Sequence, residues 1–215
     1  MTLIQYIVDN YQLIVQKAGQ HIVLAGIGVL IACAIGIPTG FLITNSRRAS
    51  NIVINIANIF QTIPALAIFA FGIPLLGIGT KPAIFALVLY ALLPIIKNTL
   101  IGINNVDPAI IEAARGMGMS KSQIMFKVEV PLAISVIMGG VRIATVTGIG
   151  IATIGAFIGA GGLGQLIFQG VGMVNYNMVV AGAIFSSLLA LLADFILGIL
   201  ESKLTSKGII KRETI

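Results

Sequence analysis

Residues 107–131 are the longest stretch that cannot lie in a membrane in this largely apolar chain, with three of its seven acids and three of its thirteen Lys and Arg residues. Asp107 followed by Pro108 is typical of a helix start, because aspartate caps free backbone N–H groups and proline suits the first helical position. Gly116 and Gly118 permit the turn that ends such a helix. The pattern predicts a short, water-exposed helix that ends in a hinge.

A second helix is predicted directly after this hinge. Ser120 and Gln123 have the spacing of a capping box, in which each side chain binds the other residue's backbone N–H. The helix is expected to finish near Pro131, because the residue before a proline is biased away from helical backbone angles. Together the two helix starts predict two short helices, joined by a hinge, that lie outside the membrane.

The same segment contains a longer pattern. Its members are Glu112-Ala113-Ala114, Gly118 and, after nine further residues, Val128-x-Val130-Pro131. This pattern resembles the EAA loop of ABC importer permeases, with valine at two positions where that family usually has Ile and Leu. Further along, Gly139-Gly140-Val141-Arg142 through Gly159-Ala160-Gly161-Gly162-Leu163-Gly164 is similar to the osmoprotectant branch of the methionine-transporter-like permeases, which imports glycine betaine, carnitine and choline. The resemblance covers about residues 20–200.

The resemblance implies that the EAA loop docks a coupling helix into a groove of a cytoplasmic ATPase. Glu112 would offer a charge to that partner, and two alanines would allow close approach. The alternative is an ordinary cytoplasmic loop that folds on its own protein. The residues to which the resemblance assigns ATPase coupling are Asp107, Glu112, Ala113, Ala114, Arg115, Gly118 and Ser120.

The composition indicates an integral membrane protein. The chain is 58% hydrophobic and 9% charged, whereas a soluble domain carries about a quarter charged residues. The net charge of +6 does not indicate nucleic-acid binding, because the basic residues lie between apolar stretches. One histidine and one cysteine exclude an ordinary zinc site. The sequence contains neither a Walker motif nor a catalytic set of side chains, so we predict a permease subunit that is not an enzyme.

The apolar stretches predict an all-α fold with about five membrane spans, each near the 20 residues that a bilayer requires. We expect an N-terminal amphipathic segment at 1–20 that lies on the membrane surface, a permease domain at 21–201 with its EAA loop at 102–131, and a basic tail at 202–215. The spans are expected at about 22–44, 52–79, 82–101, 132–158 and 178–200.

The basic residues predict the orientation of these spans. One set of loops holds ten Lys and Arg residues and the opposite set holds only Lys17 and Lys81. Basic residues favour the cytoplasmic side. The EAA loop and the C-terminus are therefore expected in the cytoplasm, and five spans place the N-terminus outside the cell membrane.

Two charges fall well inside predicted spans, Arg142 and Asp194. An isolated charge in the bilayer is costly, so we predict that these two pair or that each faces another protein group. The alternative is that they line the substrate path. His21, at the start of the first span, is expected to be interfacial with a solvated ring.

Residues 159–177 are rich in glycine and carry no charge. They are expected to form an external or re-entrant segment, with a short helix at 165–168; the resemblance implies that this face meets the binding protein, and the alternative is a flexible turn. Phe157, Phe168 and Tyr176 are interpreted as membrane anchors rather than as a site for a quaternary ammonium group.

The sequence therefore predicts the transmembrane subunit of an ATP-driven importer of a compatible solute, such as glycine betaine, carnitine or choline. By resemblance its partners are cytoplasmic ATPase subunits, a second permease subunit (identical or paralogous) and an external binding protein. ATP and Mg²⁺ would be bound by the ATPase and no cofactor by this chain. The alternatives are an ABC permease for another small solute, such as an amino acid, or a membrane transport subunit that needs no ATP.

Overall fold

The computed structural model describes residues 2–205, so most of the predicted basic tail lies outside the described residues. This part of the chain is helical throughout and has no strand, as predicted. Its helices are α1 (Leu3–Asp9), α2 (Tyr11–Ile43), α3 (Arg47–Thr62), α4 (Ala65–Leu76), α5 (Thr80–Asn104), α6 (Pro108–Gly116), α7 (Lys121–Ile124), α8 (Val130–Ile154), α9 (Gly164–Gly172) and α10 (Tyr176–Leu204). A π-helical turn, Met125–Glu129, precedes α8, and a 3-10 turn, Gly155–Ile158, follows it.

The prediction of about five spans is confirmed. Within residues 2–205, the helices long and apolar enough to cross a membrane are α2, α5, α10 and the continuous helical stretch Lys121–Ile158. The predicted second span is broken into α3 and α4, which meet at an angle of 97°. Pro64 lies at this break, where it cannot donate a backbone hydrogen bond. Gln61 and Tyr90 hold the break, because the Gln61 amide donates to the Tyr90 carbonyl at 2.7 Å and the Tyr90 hydroxyl donates to the Ile63 carbonyl.

Helices α2, α5 and α8 form the centre of the bundle. The two glycines of the Gly36-x-x-x-Gly40 spacing lie where α2 contacts α5. A Cβ atom added at Gly36 would lie 2.9 Å from Ile95, and one at Gly40 would lie 2.5 Å from Thr99. The α5–α8 contact is equally close, because a Cβ atom at Gly140 would lie 2.7 Å from the Pro94 carbonyl. Small residues thus let these apolar helices pack closely in a bilayer, where the hydrophobic effect does not drive helices together.

The helix that was expected to finish near Pro131 instead continues through it. Val130 has helical backbone angles (φ −61°, ψ −50°), contrary to the prediction. The bias against helix before proline is a preference, and the preceding π-helical turn accommodates the ring, because the Val130 N–H reaches back to the Met125 carbonyl. The polar loop and the α8 span are therefore parts of one continuous helical stretch, Lys121–Ile158.

The N-terminal segment also differs from its expected boundaries. No helix ends near residue 20, since α2 begins at Tyr11 and runs to Ile43. Tyr6 and Ile14 are buried in a cluster with Leu163 and Leu166, so one side of this segment packs on protein. The other side keeps exposed apolar residues that could contact a membrane surface, namely Ile4, Val8, Tyr11 and Val15.

His21 is fully buried, so the expectation of a solvated ring is wrong. Its Nδ1 atom accepts the Leu163 N–H at 3.2 Å, and its Nε2 atom lies 3.0 Å from the Ile149 carbonyl. Since Nδ1 acts as an acceptor, the proton of the neutral ring is on Nε2, which donates to Ile149. A Cβ atom at Gly162 would lie 2.9 Å from this ring. The histidine therefore joins α2, α8 and the glycine-rich segment.

His21→Leu should lower the stability of the folded chain. The substitution keeps a side chain of similar bulk but leaves the buried Leu163 N–H unpaired, which costs about 1–3 kcal/mol. Thermal unfolding of the purified protein in detergent would measure the effect. Gln20→Leu is the matched control, because exposed Gln20 also accepts a hydrogen bond from this segment, at Gly162. Equal changes in Tm for the two variants would contradict the role given to His21.

Candidate coupling site and ion cluster

Helix α6 is built as its sequence predicts. The Asp107 carboxylate accepts the Ala109 N–H at 2.9 Å, and Pro108 occupies the first helical position. Glu112 is exposed, as are the side chains on most other positions of the helix. Ala114 is buried, at 2% exposed, and Ile111 is half-buried. The helix thus projects from the protein and packs on it through one side only.

The hinge after α6 depends on one glycine. Gly118 has φ +78°, a left-handed conformation that side chains with a Cβ rarely adopt. The Gly118 N–H donates to the Arg115 carbonyl at 2.9 Å, and the Met119 N–H donates to the Ala114 carbonyl at 3.2 Å. A Cβ atom at Gly118 would meet nothing within 4 Å, so the requirement for glycine comes from the backbone alone. Gly116 has equal space and no positive φ.

The second helix start also has the predicted capping box. The Ser120 hydroxyl accepts the Gln123 N–H at 3.3 Å, and the Gln123 side-chain oxygen accepts the Ser120 N–H at 2.8 Å. The hinge is therefore fixed on both sides by caps. This second start leads directly into the continuous helical stretch Lys121–Ile158.

Three exposed apolar side chains accompany the predicted coupling residues and were not predicted from the sequence. Ile110 is 43% exposed, Met117 75% and Phe126 67%. Apolar residues in an otherwise polar loop were the signal that could have identified them. The surface around α6 therefore combines charge, at Glu112 and Arg115, with apolar area, which is typical of a protein contact.

Arg142 and Asp194, the two charges inside spans, lie in direct contact. Arg142 Nε donates to Asp194 Oδ1 at 2.9 Å, and Nη2 donates to Oδ2 at 3.0 Å. This two-point geometry between a guanidinium and a carboxylate is strong and directional. It joins α8 to α10.

Two further residues complete this group, which we call the ion cluster: Ser135, Arg142, Asp194 and Glu201. Arg142 Nη1 donates to Glu201 Oε2 at 2.8 Å, and the Ser135 hydroxyl donates to Glu201 Oε1 at 2.8 Å. Glu201 was not predicted as a partner of this pair. The signal was present, because Asp194 and Glu201 are seven residues apart and so lie two turns apart on one helix face. One cation and two anions give the cluster a net negative charge.

The N-terminal part of α2 is joined to the glycine-rich segment by a second polar group. Lys17 Nζ donates to Gln165 Oε1 at 2.7 Å and to Gln20 Oε1 at 3.3 Å. These side chains border a cavity of about 580 Å³. The short helix predicted at 165–168 is α9, which spans Gly164–Gly172. Nearby, the Phe157 and Phe168 rings are in contact, with centroids 4.0 Å apart, while Tyr176 is exposed.

Within the described residues, no group of three His, Cys, Asp or Glu side chains could hold a metal ion. The polar groups of residues 2–205 instead connect helices or project from the bundle. Such an arrangement can transmit movement and bind partners.

Comparison with known proteins identifies the family of this chain. Residues 32–206 match the family described as binding-protein-dependent transport system inner membrane component. The chain is 44% identical to the carnitine transport permease protein OpuCB of Listeria monocytogenes over 207 residues, which cover 96% of this chain and 95% of the relative. It is 42% identical to the glycine betaine/carnitine/choline transport system permease protein OpuCB of Bacillus subtilis (strain 168) over 193 residues, covering 90% of this chain and 89% of the relative.

A solved structure has the same fold. The inward-facing MetNI methionine ABC transporter contains a chain that superposes with a TM-score of 0.82 at 26% sequence identity. The match covers 91% of this chain and 98% of that one. The prediction of an ABC permease subunit that is not itself an enzyme is confirmed. This multi-pass membrane protein belongs to the family of inner membrane components of binding-protein-dependent transport systems.

Proposed function

We propose that this chain forms, with a second permease subunit, the membrane path of an ATP-driven importer for a quaternary ammonium compatible solute. The substrate class is supported by relatives named for carnitine and for glycine betaine, carnitine and choline transport. An external binding protein delivers the solute to the outer end of the path. ATP and Mg²⁺ act on the partner ATPase, and the second permease subunit is identical or paralogous.

The observation that carries the mechanism is the projecting helix α6. It is capped at Asp107, is exposed on most of its surface, and ends in a hinge that leads to the helical stretch of α8. A cytoplasmic ATPase that contacts α6 can move it, and the continuous helix carries this movement into the bundle. The orientation in this proposal, with α6 and the C-terminus in the cytoplasm and the N-terminus outside, follows the distribution of basic residues.

Solute-stimulated ATP hydrolysis tests the proposal. The complex of this chain with its ATPase, its partner permease and the binding protein would be placed in lipid vesicles. Glycine betaine, carnitine or choline should stimulate hydrolysis and accumulate inside the vesicles. Hydrolysis that responds to none of these solutes would contradict the substrate class. A purified transport-competent chain without any ATPase subunit would contradict the mechanism.

An amino acid importer is the second candidate. The structural similarity to the methionine transporter MetNI favours it. Methionine added in the same assay separates the two candidates, because the proposed importer should respond to the quaternary ammonium solutes and not to this amino acid.

A further inference from the structure

Helix α3 carries a row of amide side chains that this chain leaves uncovered. Asn51, Asn55 and Asn58 are exposed, and none of their side chains makes a hydrogen bond in the part of the chain that the structure describes. Their spacing of four and three residues places them on one side of the helix. We call these three residues the asparagine stripe. Thr62 continues the same row to the break before α4.

The rest of α3 shows that the asparagine stripe is a separate flank of the helix. Ala57 is buried, and the side of α3 that contains it packs against the bundle. A second exposed flank is wholly apolar and consists of Ile52, Ile56 and Ile59, which are 60%, 50% and 59% exposed. The helix therefore has one packed face, one apolar exposed flank and one amide exposed flank.

The two exposed flanks cannot share one environment in a membrane. Hydrocarbon accepts the isoleucine flank readily, whereas unpaired amides there would lose their hydrogen bonds with water. A broken helix is tolerated at membrane depth where it lines protein or a water-filled cavity, and α3 ends at such a break. The asparagine stripe must therefore face water or another protein chain.

The charges at the start of α3 favour water. Arg47 and Arg48 extend the asparagine stripe by one turn and make no ion pair within residues 2–205. If two identical copies met tightly along this row about a two-fold axis parallel to α3, each residue would lie opposite its own copy. The like charges of four arginines would then face one another without an intervening solvent, which is unfavourable.

We propose that the asparagine stripe, with Thr62, lines a water-filled part of the solute path. This inference rests on the proposed function and specifies which surface the solute passes. Each amide offers both donors and an acceptor, so the stripe can hydrate or contact both ends of a small dipolar solute. No acid or base lies within the stripe, so it holds no fixed charge that would retain a zwitterion.

Cysteine labelling tests the inference, because Cys33 is the one cysteine of the chain. Single cysteines would replace Asn55 or Asn58, and Ile56 or Ile59 as matched controls, in a Cys33→Ala background assembled with its partners in inside-out vesicles. A charged, membrane-impermeant methanethiosulfonate should react several times faster at the asparagine positions than at the isoleucine positions. Faster reaction at the isoleucines, or no reaction at either flank, would overturn the inference.

Two further measurements, disulfide formation between copies and solute uptake, test this inference separately from the proposed function. Oxidation to a disulfide between copies at Asn55→Cys would indicate a tight subunit contact and would also overturn it. Asn55→Leu should lower solute uptake several-fold without lowering basal ATP hydrolysis, whereas Ile56→Leu should change neither. The leucine variants are made in the unmodified chain. If the unmodified complex imports no compatible solute, the proposed function fails. If it imports solute and Asn55→Leu matches it, the inference about the stripe fails.

Discussion

Arg142→Met should sharply reduce the amount of folded protein recovered from membranes. The substitution removes every donor that serves Asp194 in the structure and three of the four hydrogen bonds of the ion cluster. Two carboxylates then remain close together without a cation between α8 and α10. Removing one partner of an ion pair destabilises a protein more than replacing all of its charged residues by apolar ones. The remaining charge is still desolvated and has lost its partner. Size-exclusion chromatography after detergent extraction would measure the recovered fraction.

Two comparison variants show whether charge pairing is the cause. Arg142→Met combined with Asp194→Leu and Glu201→Leu leaves no stranded charge, and it should recover much of the folded fraction. Arg142→Lys keeps the charge but not the planar fork that contacts two carboxylates, so its yield should fall between those of the wild type and Arg142→Met. A triple variant that is no better recovered than the single one would show that the cluster stabilises the fold by some other means.

Local chemistry made the polar loop predictable. Asp107, Pro108, Ser120 and Gln123 act on backbone groups within three residues of themselves, so their pattern in the sequence contains nearly all the information needed. Gly118 belongs to the same class, because its positive φ is set by the turn in which it lies. The fold class was predictable for a different reason. A long apolar segment in a membrane must satisfy its own backbone hydrogen bonds, and a helix does this within the segment.

Long-range contacts were harder to predict. His21 is buried by residues about 130–140 positions away, and no neighbouring residue in the sequence indicates that Ile149 and Leu163 are its partners. The contact between Glu201 and Arg142 could be predicted only if α8 and α10 were known to be neighbours. Pro131 was misleading for a third reason, because a backbone preference was outweighed by the π-helical turn before it. The first two differences arise from tertiary contacts, and the third arises from a local backbone conformation that the residue types do not indicate.

Gly118→Val should leave the protein inserted and assembled but should reduce solute uptake strongly. A left-handed backbone costs a residue with a Cβ about 1–2 kcal/mol, and more when the side chain is β-branched. An energy of this size changes the population of the observed hinge about 5- to 30-fold. Movement of α6 would then no longer reach α8 in the required geometry. Uptake into vesicles should fall, while basal ATP hydrolysis by the partner should persist.

Gly116 provides the matched control two residues earlier. It lies in the same exposed loop, an added Cβ meets nothing within 4 Å, and its φ is not positive, so Gly116→Val should keep most of the uptake. Gly118→Asn should retain more uptake than Gly118→Val, because asparagine enters the left-handed region more readily than other side chains. This order, with asparagine between glycine and valine, is expected only if the backbone conformation itself transmits the movement. Full uptake by Gly118→Val would mean that α6 moves the bundle by a route other than the hinge.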